Sequence, residues 1–482
     1  MTALVVLSWL AWVPEGPQAP ASPASVPAPA EVVASLESVL AEAIAKAESS
    51  VVAIHRDKGE NPQETEAVRG RKRRRPAVDP SRFQARFGLP MPMETEDFIS
   101  FDYGSGVVVG TQGQILTAFH VVRGAARLRV RAAGQPPFDA EVIAADPRSD
   151  LAVIAPQPEP GVDPPQLKPL PIGDAGRLRK GSFLIVLGNP FNAARDGNAS
   201  AGLGILSNRA RRLEREPGPD QPQLPNYPTL LQLDAKLNLG MSGGAVINLR
   251  GELVGITTTA ASPEGFDAQA GYAIPMDKLG RRAVETLKEG KEVEYGLLGI
   301  APAGHHSNRV DQVYRHSPAD LGKLQANDEI IAVNDDPVTD FDSLILAVNA
   351  HAAGEPVRLK IRRGDKVVEV TLVLAKFPVD GEVIATNRSQ AWRGLRVDYT
   401  TAVRAPAIAP HFLDRTPAGV VVTEVEEGSP AAAAGLKKGQ LIWRAGERPV
   451  PNPQAFAQVV ADLEDRPVLL ETDLGPVTVN SK

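Results

Sequence analysis

The feature that most constrains the fold is a series of short apolar runs, each about the length of one strand and separated by glycine-rich turns. These runs lie at residues 50–55, 105–110, 114–122, 150–155, 182–188 and 245–257. Many short strands with such turns are typical of a β-barrel or a β-sandwich. The first part of the chain is therefore predicted to be mainly β.

Composition sets the size and the broad class of the protein. With 482 residues, the chain has room for about three domains of ordinary size. A hydrophobic content of 43% and a charged content of 23% indicate a soluble globular protein. The net charge of -6 gives no general attraction to nucleic acid, so no nucleic-acid partner is expected. The absence of cysteine excludes disulfides, thiolate catalysis and cysteine-ligated zinc.

The N-terminus carries a short apolar run at residues 3–13. A bilayer span needs about 20 residues, whereas this length suits the hydrophobic region of a signal peptide. Residues 14–30 follow, rich in proline and alanine, and predict a semi-rigid tether. We expect residues 1–30 to be a signal or anchor segment with a tether, and the protein to be exported. Membrane tethering through residues 3–13, or burial of that run, are the alternatives.

Two further segments of the first domain have distinct patterns. The spacing of Val33, Leu36, Leu40, Ile44 and Ala47 predicts an amphipathic helix. The long polar stretch 57–100 contains a basic run at 69–75. Such a run can bind polyanions or acidic lipid surfaces, but the absence of aromatic residues between the charges favours a solvated loop.

The C-terminal part of the chain contains an internal repeat of roughly 90 residues. A glycine-hydrophobic loop at 296–300 precedes the segment 316–338, and a similar loop at 393–397 precedes 428–450. Both later segments begin a helix with Ser-Pro-Ala and continue through a turn into a strand. A helix at 275–290 is expected to close the domain before the repeats, and 379–391 is expected to link them.

The stretch "LGMSGGAV" places Ser242 among glycines. Ser242 could be a turn residue, the nucleophile of a Gly-x-Ser-x-Gly elbow, or the nucleophile of a different hydrolase fold. A serine hydroxyl becomes a good nucleophile when an imidazole accepts its proton and a buried carboxylate orients that imidazole. Of seven histidines, only His55 and His120 lie within the first domain.

The order of the candidate residues favours one of these readings. His120 alone would more often be a core residue, and Asp150 alone a turn or capping residue. Together with Ser242, they follow the chain order of chymotrypsin-like proteases. The elbow requires a helix after the serine, whereas the sequence after Ser242 predicts a β-hairpin. Gly240 can adopt angles that aim its N–H, with that of Ser242, at a developing oxyanion.

The chain resembles the HtrA (DegP-type) serine protease family. The matching motifs are "GSGVVV" with "TAFHVV", "DPRSDLAVI", "GNPF", "LQLDAKLNLGMSGGAVINLRGELVGI" and "GYAIPMDKL". The resemblance implies a mainly β fold, with a chymotrypsin-like double β-barrel followed by two α+β PDZ domains. The domains implied are a protease domain at 31–290, a first PDZ domain at 291–378 and a second at 392–482.

The same resemblance implies the roles of individual residues. His120 would be the general base, Asp150 its orienting carboxylate and Ser242 the nucleophile, with the amides of Gly240 and Ser242 as oxyanion hole. The implied substrate pocket consists of Leu237, Ala260 and Ala261. The implied carboxylate-binding loops consist of Leu297, Leu298, Gly299 and Ile300 in the first PDZ domain and of Gly394, Leu395, Arg396 and Val397 in the second.

The resemblance also implies how the protein works. The expected activity is ATP-independent cleavage of misfolded or unfolded envelope proteins in the periplasm, during stress and protein quality control. The PDZ domains would bind C-terminal peptides, the chain would form a homotrimer or a larger homo-oligomer, and no metal or cofactor would be needed. The alternative is a non-proteolytic chaperone or PDZ scaffold.

Overall fold

The computed structural model describes residues 28–57, 103–189, 197–211, 229–258, 271–304, 307–378, 383–402, 418–463 and 466–481. The apolar run 3–13, most of the tether and the basic run 69–75 lie outside the described residues. Within the described ranges, no helix combines the length and the apolar character needed to cross a bilayer.

The first barrel is built from strands that are consecutive in the chain. They are β1 (Val51–Asp57), β2 (Tyr103–Val108), β3 (Ile115–Ala118), β4 (Arg127–Ala132), β5 (Phe138–Asp146) and β6 (Leu151–Pro156). Their order is β5-β4-β1-β2-β3-β6, and β6 also pairs with β5, which closes the ring. Closure gives each of these strands two hydrogen-bonded neighbours within the barrel.

The second barrel follows the same plan. Its strands are β7 (Phe183–Gly188), β8 (Ser200–Arg211), β9 (Leu230–Leu233), β10 (Ala245–Ile247), β11 (Leu253–Thr257) and β12 (Gly271–Pro275). They close in the order β10-β11-β12-β9-β8-β7. The hairpin predicted after Ser242 joins β10 to β11, with the Gly251 amide donating to the Asn248 carbonyl at 2.9 Å. The predicted double β-barrel is therefore confirmed.

Strand periodicity explains how the barrels pack together. Successive side chains on a strand point to opposite faces, so one face fills the barrel and the other is left outside. Val52 belongs to the interior of the first barrel, whereas its neighbour Val51 belongs to a larger cluster outside it. In the second barrel, Leu184 faces the interior and Ile185 the same outer cluster. That cluster joins the outer faces of both barrels into one core.

Among the described residues, the helices are short apart from the first. They are α1 (Pro29–Ala47), α2 (Phe119–Val122), α3 (Lys278–Lys288), α4 (Pro318–Leu321), α5 (Phe341–Asn349), α6 (Pro430–Ala433) and α7 (Pro453–Asp462), with 3₁₀ turns at Glu48–Ser50, Ala175–Arg177 and Thr400–Ala402. Only the C-terminal half of α1 packs on the barrels, since Ala47 is fully buried but Val33 is 65% exposed. α3 begins after Asp277, whose carboxylate caps it by accepting from the Gly280 amide at 2.9 Å, while Pro275 completes β12.

Two smaller β-rich modules follow α3. The first contains β13 (Gly296–Leu297), β14 (Ile300–Pro302), β15 (Val310–Val313), β16 (Glu329–Val333), β17 (Asp336–Pro337), β18 (Pro356–Arg363), β19 (Lys366–Val373) and β20 (Ala375–Lys376). After β21 (Ile384–Ala385), the second contains β22 (Leu395–Tyr399), β23 (Val420–Val425), β24 (Leu441–Ala445), β25 (Arg448–Pro449), β26 (Val468–Thr472) and β27 (Gly475–Val479). Each module has its own hydrophobic core.

The segment between the modules is attached to the first barrel. β21, which lies within the predicted linker, pairs with β5 at Ala144 and Ala145. The Thr386 amide continues this contact by donating to the Ile143 carbonyl at 2.9 Å. The linker therefore extends the first barrel's sheet by one short strand.

A buried charge cluster joins the end of the barrels to both modules. The Lys376 ammonium lies 2.6 Å from Asp398, 2.9 Å from Glu292 and 3.7 Å from Glu294, and its side chain is only 1% exposed. Burial lowers the pKa of Lys376, but the three carboxylates outweigh burial, so the pKa is raised. Burial also raises the pKa of Glu294 to about 7, against the opposing effect of Lys376.

This cluster predicts a pH dependence of stability that Glu294→Gln should remove. Between the ordinary pKa of 4.5 and about 7, the folded chain keeps a proton on Glu294 that the unfolded chain releases. Folding stability from this group therefore falls as pH rises through that window and stays low above it. Melting temperatures should show Glu294→Gln to be a few degrees more stable than the wild-type chain at pH 8 and nearly equal to it at pH 5.

The exposed Glu427 provides the matched control, because Glu427→Gln removes a carboxylate that is not part of the cluster. Its melting temperature should follow the wild-type chain at both pH values. The raised pKa of Glu294 would be contradicted if the gain in melting temperature of Glu294→Gln over the wild-type chain were no larger at pH 8 than at pH 5.

Candidate active site

His120 lies on α2, a single helical turn directly after β3, although the apolar run 114–122 that contains it was predicted to be one strand. The Phe119 amide donates to the Asp150 carbonyl at 2.8 Å, which ties the turn to the start of β6. On the other side, the Arg56 guanidinium donates to the carbonyls of His120 and Arg123 at 3.1 and 3.0 Å. The backbone that carries the imidazole is thus held from two directions.

Asp150 faces His120 with both carboxylate oxygens. Oδ1 accepts from the His120 backbone amide at 2.9 Å, and Oδ2 lies 2.8 Å from the ring Nδ1. The Thr258 hydroxyl also donates to Oδ2, at 3.0 Å. Asp150 is buried and has a φ of 57°, a left-handed conformation that is uncommon outside glycine. A proton on Nδ1 donated to this carboxylate leaves Nε2 as the acceptor.

The charges around the imidazole raise the pKa of His120. Burial lowers this pKa, and the nearby Arg56 lowers it further. The charge of Asp150 and its hydrogen bond to the ring outweigh both, so the net shift is upward. The His120 side chain is still 33% exposed, so the ring is accessible from solvent.

Ser242 lies in a tight turn between β9 and β10 that two glycines make possible. Gly240 has a φ of 90° and Gly243 a φ of 84°, both in the region that favours glycine. The Gly243 amide donates to the Thr257 carbonyl at 2.8 Å. The Thr257 hydroxyl in turn donates to the Met241 carbonyl. These bonds anchor the turn to β11 on both sides of the serine.

Ser105 on β2 connects this turn to the first barrel. Its amide donates to the Ser242 carbonyl at 2.8 Å, and its hydroxyl donates to the Gly240 carbonyl at 2.8 Å. The Asn189 amide donates to the same hydroxyl at 2.9 Å. Since Gly240 and Ser242 are both held by one residue, the peptide units around Ser242 have a fixed orientation relative to β2.

Close backbone approaches bring the Ser242 turn against the elements that lead to His120. A Cβ atom on Gly243 would lie 2.3 Å from the Thr117 hydroxyl and 3.1 Å from the Ala118 amide, two residues before His120. A Cβ atom on Gly104 would lie 2.5 Å from Val121 and 3.2 Å from the Ser242 carbonyl. The structure therefore brings His120, Asp150 and the Ser242 turn together at the junction of the barrels.

The predicted pocket is only partly within the described residues. Leu237 is buried and belongs to the interior core of the second barrel. A Cβ atom on Gly271 would lie 3.0 Å from its Cγ, so β12 packs closely against it. Ala260 and Ala261 lie outside the described residues.

The predicted carboxylate-binding loops have the same local geometry in both modules. In the first, Gly299 has a φ of 79°, and a Cβ there would lie 2.2 Å from Ser317, which caps α4. In the second, Gly394 has a φ of 79°, and a Cβ there would lie 2.1 Å from Ser429, which caps α6. The other predicted loop residues flank these glycines: Leu297, Leu298, Ile300, Leu395, Arg396 and Val397.

The arginines of the second loop are engaged within the module. Arg396 forms ion pairs with Glu424 at 3.3 Å and Glu426 at 3.5 Å. Arg393 donates to the carbonyls of Val479 and Arg466, each at 2.7 Å. Both arginines therefore have partners within the module, and their charges leave the turn at Gly394 undisturbed.

Ser105, Thr258 and Arg56 were not predicted from the sequence to belong to the site. Ser105 lies in the "GSGVVV" motif, but nothing in that motif shows which turn its hydroxyl supports. Thr258 and Arg56 are far from His120 in the sequence, and no periodicity connects them. Among the described residues, no group of three or more His, Asp or Glu side chains is arranged to hold a metal ion.

Two family models match the chain, one within the barrels and one in the first module. The model for a trypsin-like peptidase domain matches residues 104–256, which contain His120, Asp150 and Ser242. The model for a PDZ domain matches residues 296–374, which form the first C-terminal module. The fold and the matched peptidase domain thus define a serine endopeptidase of the trypsin-like class, and the predicted fold class is confirmed.

Relatives that match most of the chain identify the family more narrowly than the domain models do. The periplasmic serine endoprotease DegP of Salmonella typhimurium is 31% identical over 385 residues, which cover 77% of this chain and 74% of the relative. DegP of Escherichia coli is 30% identical over 386 residues, covering 77% and 74%. A probable DegP-like endoprotease of Chlamydia trachomatis is 29% identical over 411 residues, covering 82% and 77%.

A solved structure has the same fold. The HtrA-type protease AlgW with a tripeptide has a TM-score of 0.50 and 24% identity, covering 70% of this chain and 98% of that one.

The chain belongs to the HtrA/DegP family of serine proteases, as its DegP relatives show. As predicted from the sequence, it is an exported serine endopeptidase of the periplasm.

The close approach at Gly243 predicts that Gly243→Ala damages both stability and activity. Its Cβ would lie 2.1 Å from the Ser105 carbonyl oxygen, and the φ of 84° is unfavourable for alanine. Overpacking and left-handed strain together should cost about 2–4 kcal/mol and shift the Ser242 turn. Thermal unfolding and peptide hydrolysis should both show the loss.

Gly202→Ala is the matched control, because a Cβ at Gly202 meets nothing within 4 Å. This variant should keep wild-type stability and activity. Equal behaviour of the two alanine variants would show that the turn tolerates displacement from β3, contrary to the geometry.

Proposed function

We propose that the chain cleaves unfolded or misfolded polypeptides of the cell envelope, without ATP, by a serine acyl-enzyme mechanism. Ser242 is the nucleophile, His120 the general base and Asp150 the carboxylate that orients the base. The observation that carries this proposal is the 2.8 Å contact between His120 Nδ1 and Asp150 Oδ2, beside a backbone that packs directly on the Ser242 turn.

The proposed reaction uses each group in turn. His120 Nε2 accepts the Ser242 hydroxyl proton as Oγ attacks the peptide carbonyl, and the imidazolium then gives that proton to the leaving amine. His120 then accepts a proton from water as the water oxygen attacks the acyl carbonyl, and it returns that proton to Ser242 Oγ as the ester bond breaks and the carboxylic acid product leaves. Asp150 keeps Nδ1 protonated and stabilises the imidazolium, which is consistent with the upward pKa shift of His120.

The amides of Gly240 and Ser242 form the proposed oxyanion hole. The left-handed Gly240 and the bond from the Thr257 hydroxyl to the Met241 carbonyl support this assignment, since that carbonyl and the Ser242 amide belong to one peptide unit. The Ser105 bonds to the carbonyls of Gly240 and Ser242 hold the adjoining peptide units. Preorganised donors of this kind are worth about 3 kcal/mol each in the transition state. Leu237, Ala260 and Ala261 are proposed to line a pocket for a small or medium aliphatic side chain.

Domain organisation follows the same proposal: a protease domain at 31–290 and PDZ domains at 291–378 and 392–482. The loops at Leu297–Ile300 and Gly394–Val397 would hold the carboxylate of a C-terminal peptide added as a strand. The second PDZ assignment is supported by its repeat of the first module's glycine-to-serine packing, at Gly394 and Ser429. Homotrimeric or larger assembly, a cleaved or anchoring segment at 3–13 and a role in stress response complete the proposal.

Ser242→Ala tests the nucleophile. Removal of the hydroxyl should abolish casein digestion to within the background, because no acyl-enzyme can form. Ser35→Ala, which changes an exposed serine on α1, is the control and should digest casein normally. Equal digestion by Ser242→Ala and wild type would refute the nucleophile, and no digestion by either would favour a scaffold.

The pH profile tests the base and its partner. The reaction requires a neutral imidazole, and the pKa of His120 is raised. As the pH falls, kcat/KM should therefore decline with an apparent pKa above the ordinary histidine value of about 6.5.

Asp150→Asn should lower kcat by about 10⁴-fold, since an amide favours the wrong tautomer of His120. A profile flat to about pH 4, or an Asp150→Asn chain with wild-type kcat, would be inconsistent with these roles.

A further inference from the structure

The turn that presents Asp150 to His120 is held by residues from outside the barrels. The turn spans Asp146–Asp150 and joins β5 to β6. Within it, the Asp146 carboxylate accepts from the amides of Arg148 and Ser149, each at 3.2 Å. Asp150 ends the turn in a left-handed conformation, with φ of 57°. A non-glycine residue keeps that conformation only when its surroundings impose it.

Tyr295 provides the first of these external contacts. It lies between α3 and the first module, is buried, and its hydroxyl donates to Oδ2 of Asp146. Burial and the charge of Asp146 raise the pKa of Tyr295, so the hydroxyl remains a donor at all working pH values. The same carboxylate oxygen that organises the turn is thus bound by a residue of the segment leading into the first module.

Phe377 provides the second contact, through Arg148. The Arg148 guanidinium carbon lies 3.9 Å from the centre of the Tyr295 ring and 4.2 Å from the centre of the Phe377 ring. A guanidinium between two aromatic faces is attracted by both, most strongly where water is excluded. Arg148 is part of the turn, whereas Phe377 directly follows β20, the last strand of the first module.

The two aromatic residues are themselves fixed in register. The Phe377 amide donates to the Tyr295 carbonyl at 2.8 Å, continuing the pairing of β13 with β20. Arg282 on α3 donates to the carbonyls of Glu294 and Asn349, each at 2.8 Å, and this fixes the residue before Tyr295. Because the two strands are paired, a displacement of β13 and β20 together would move both rings relative to Arg148.

We propose that Tyr295 and Phe377 are positioning residues for hydrolysis, which act on His120 by holding the Asp146–Asp150 turn in the conformation that presents Asp150. Neither touches substrate. The inference rests on the proposed role of Asp150. It adds that the junction between α3 and the first module forms part of the active-site scaffold, so that the first barrel alone does not define the geometry of Asp150.

Tyr295→Phe isolates one of the two contacts, because it keeps the ring against Arg148 and deletes the hydroxyl that binds Asp146. Phe377→Leu removes the second ring and leaves the hydroxyl. The assay uses the full chain and a fluorogenic peptide with an amidated C-terminus, so that carboxylate capture by the modules does not enter the rate. A displacement of about 1 Å at a catalytic group can cost up to about 10²-fold.

We expect each variant to lower kcat roughly tenfold with KM within about twofold, because the effect reaches the chemical step and not the binding of peptide. The acid limb of kcat/KM should also move to lower pH, since a displaced Asp150 no longer raises the pKa of His120 as strongly against the effects of burial and Arg56. Phe377→Tyr, which keeps an aromatic face, should restore kcat and the acid limb.

Tyr399→Phe is the matched control, because it deletes a buried tyrosine hydroxyl that donates to Gln454 at 2.9 Å, in the second module. It should leave kcat and the acid limb unchanged even if it lowers the melting temperature. The inference is overturned if both Tyr295→Phe and Phe377→Leu keep the wild-type kcat and acid limb, or change them no more than Tyr399→Phe does. If Asp150→Asn is inactive in that case, only the positioning inference fails. If Asp150→Asn is active, the proposed catalytic roles fail as well.

Discussion

The backbone of Gly243 lies so close to β3 that no side chain fits between them, and the active-site geometry depends on this contact. It allows the second barrel to place the Ser242 turn against the strand that leads directly to His120. Ser105 adds hydrogen bonds across the same junction, to the carbonyls of Gly240 and Ser242. With the shared outer core of the two barrels, these contacts make the junction a rigid base for residues that come from both.

The hydrogen bonds made by the buried polar groups at this junction also orient those groups for catalysis. Asp150 is buried, and its carboxylate accepts from the His120 amide, the His120 ring and Thr258. These donors stabilise a charge that would otherwise be costly to bury. The imidazole remains partly exposed and keeps one nitrogen on the side away from Asp150, as a proton acceptor for a serine requires.

Much of this could be predicted from the sequence, because it depends on local patterns. Short apolar runs between glycine-rich turns predicted the strands, the turn Asn248–Gly251 predicted a hairpin after Ser242, and the order of His120 and Asp150 ahead of that serine predicted the peptidase class. Other features depend on contacts distant in the chain. The helical conformation at His120 and the roles of Ser105 and Thr258 follow from the way the barrels meet.

Contacts between the barrels and the modules were the least predictable from sequence. The segment expected to be a simple linker contributes β21 to the first barrel, and Lys376 collects three carboxylates from two distant parts of the chain. By contrast, the repeat itself was visible in the sequence, and the structure places Gly299 on Ser317 and Gly394 on Ser429 in the same manner. Local repeats fix each module, whereas buried charges and rings determine how the modules join the barrels.

Covalent labelling with a fluorophosphonate tests the central claim most directly, because phosphorus is attacked only by a hydroxyl that has an activating base beside it. Mass spectrometry of the labelled and digested chain would locate the adduct. We expect one modified site, Ser242, and loss of labelling as His120 becomes protonated. Labelling at a different serine with Ser242 left unmodified would contradict it, as would a folded, proteolytically active chain that takes up no label.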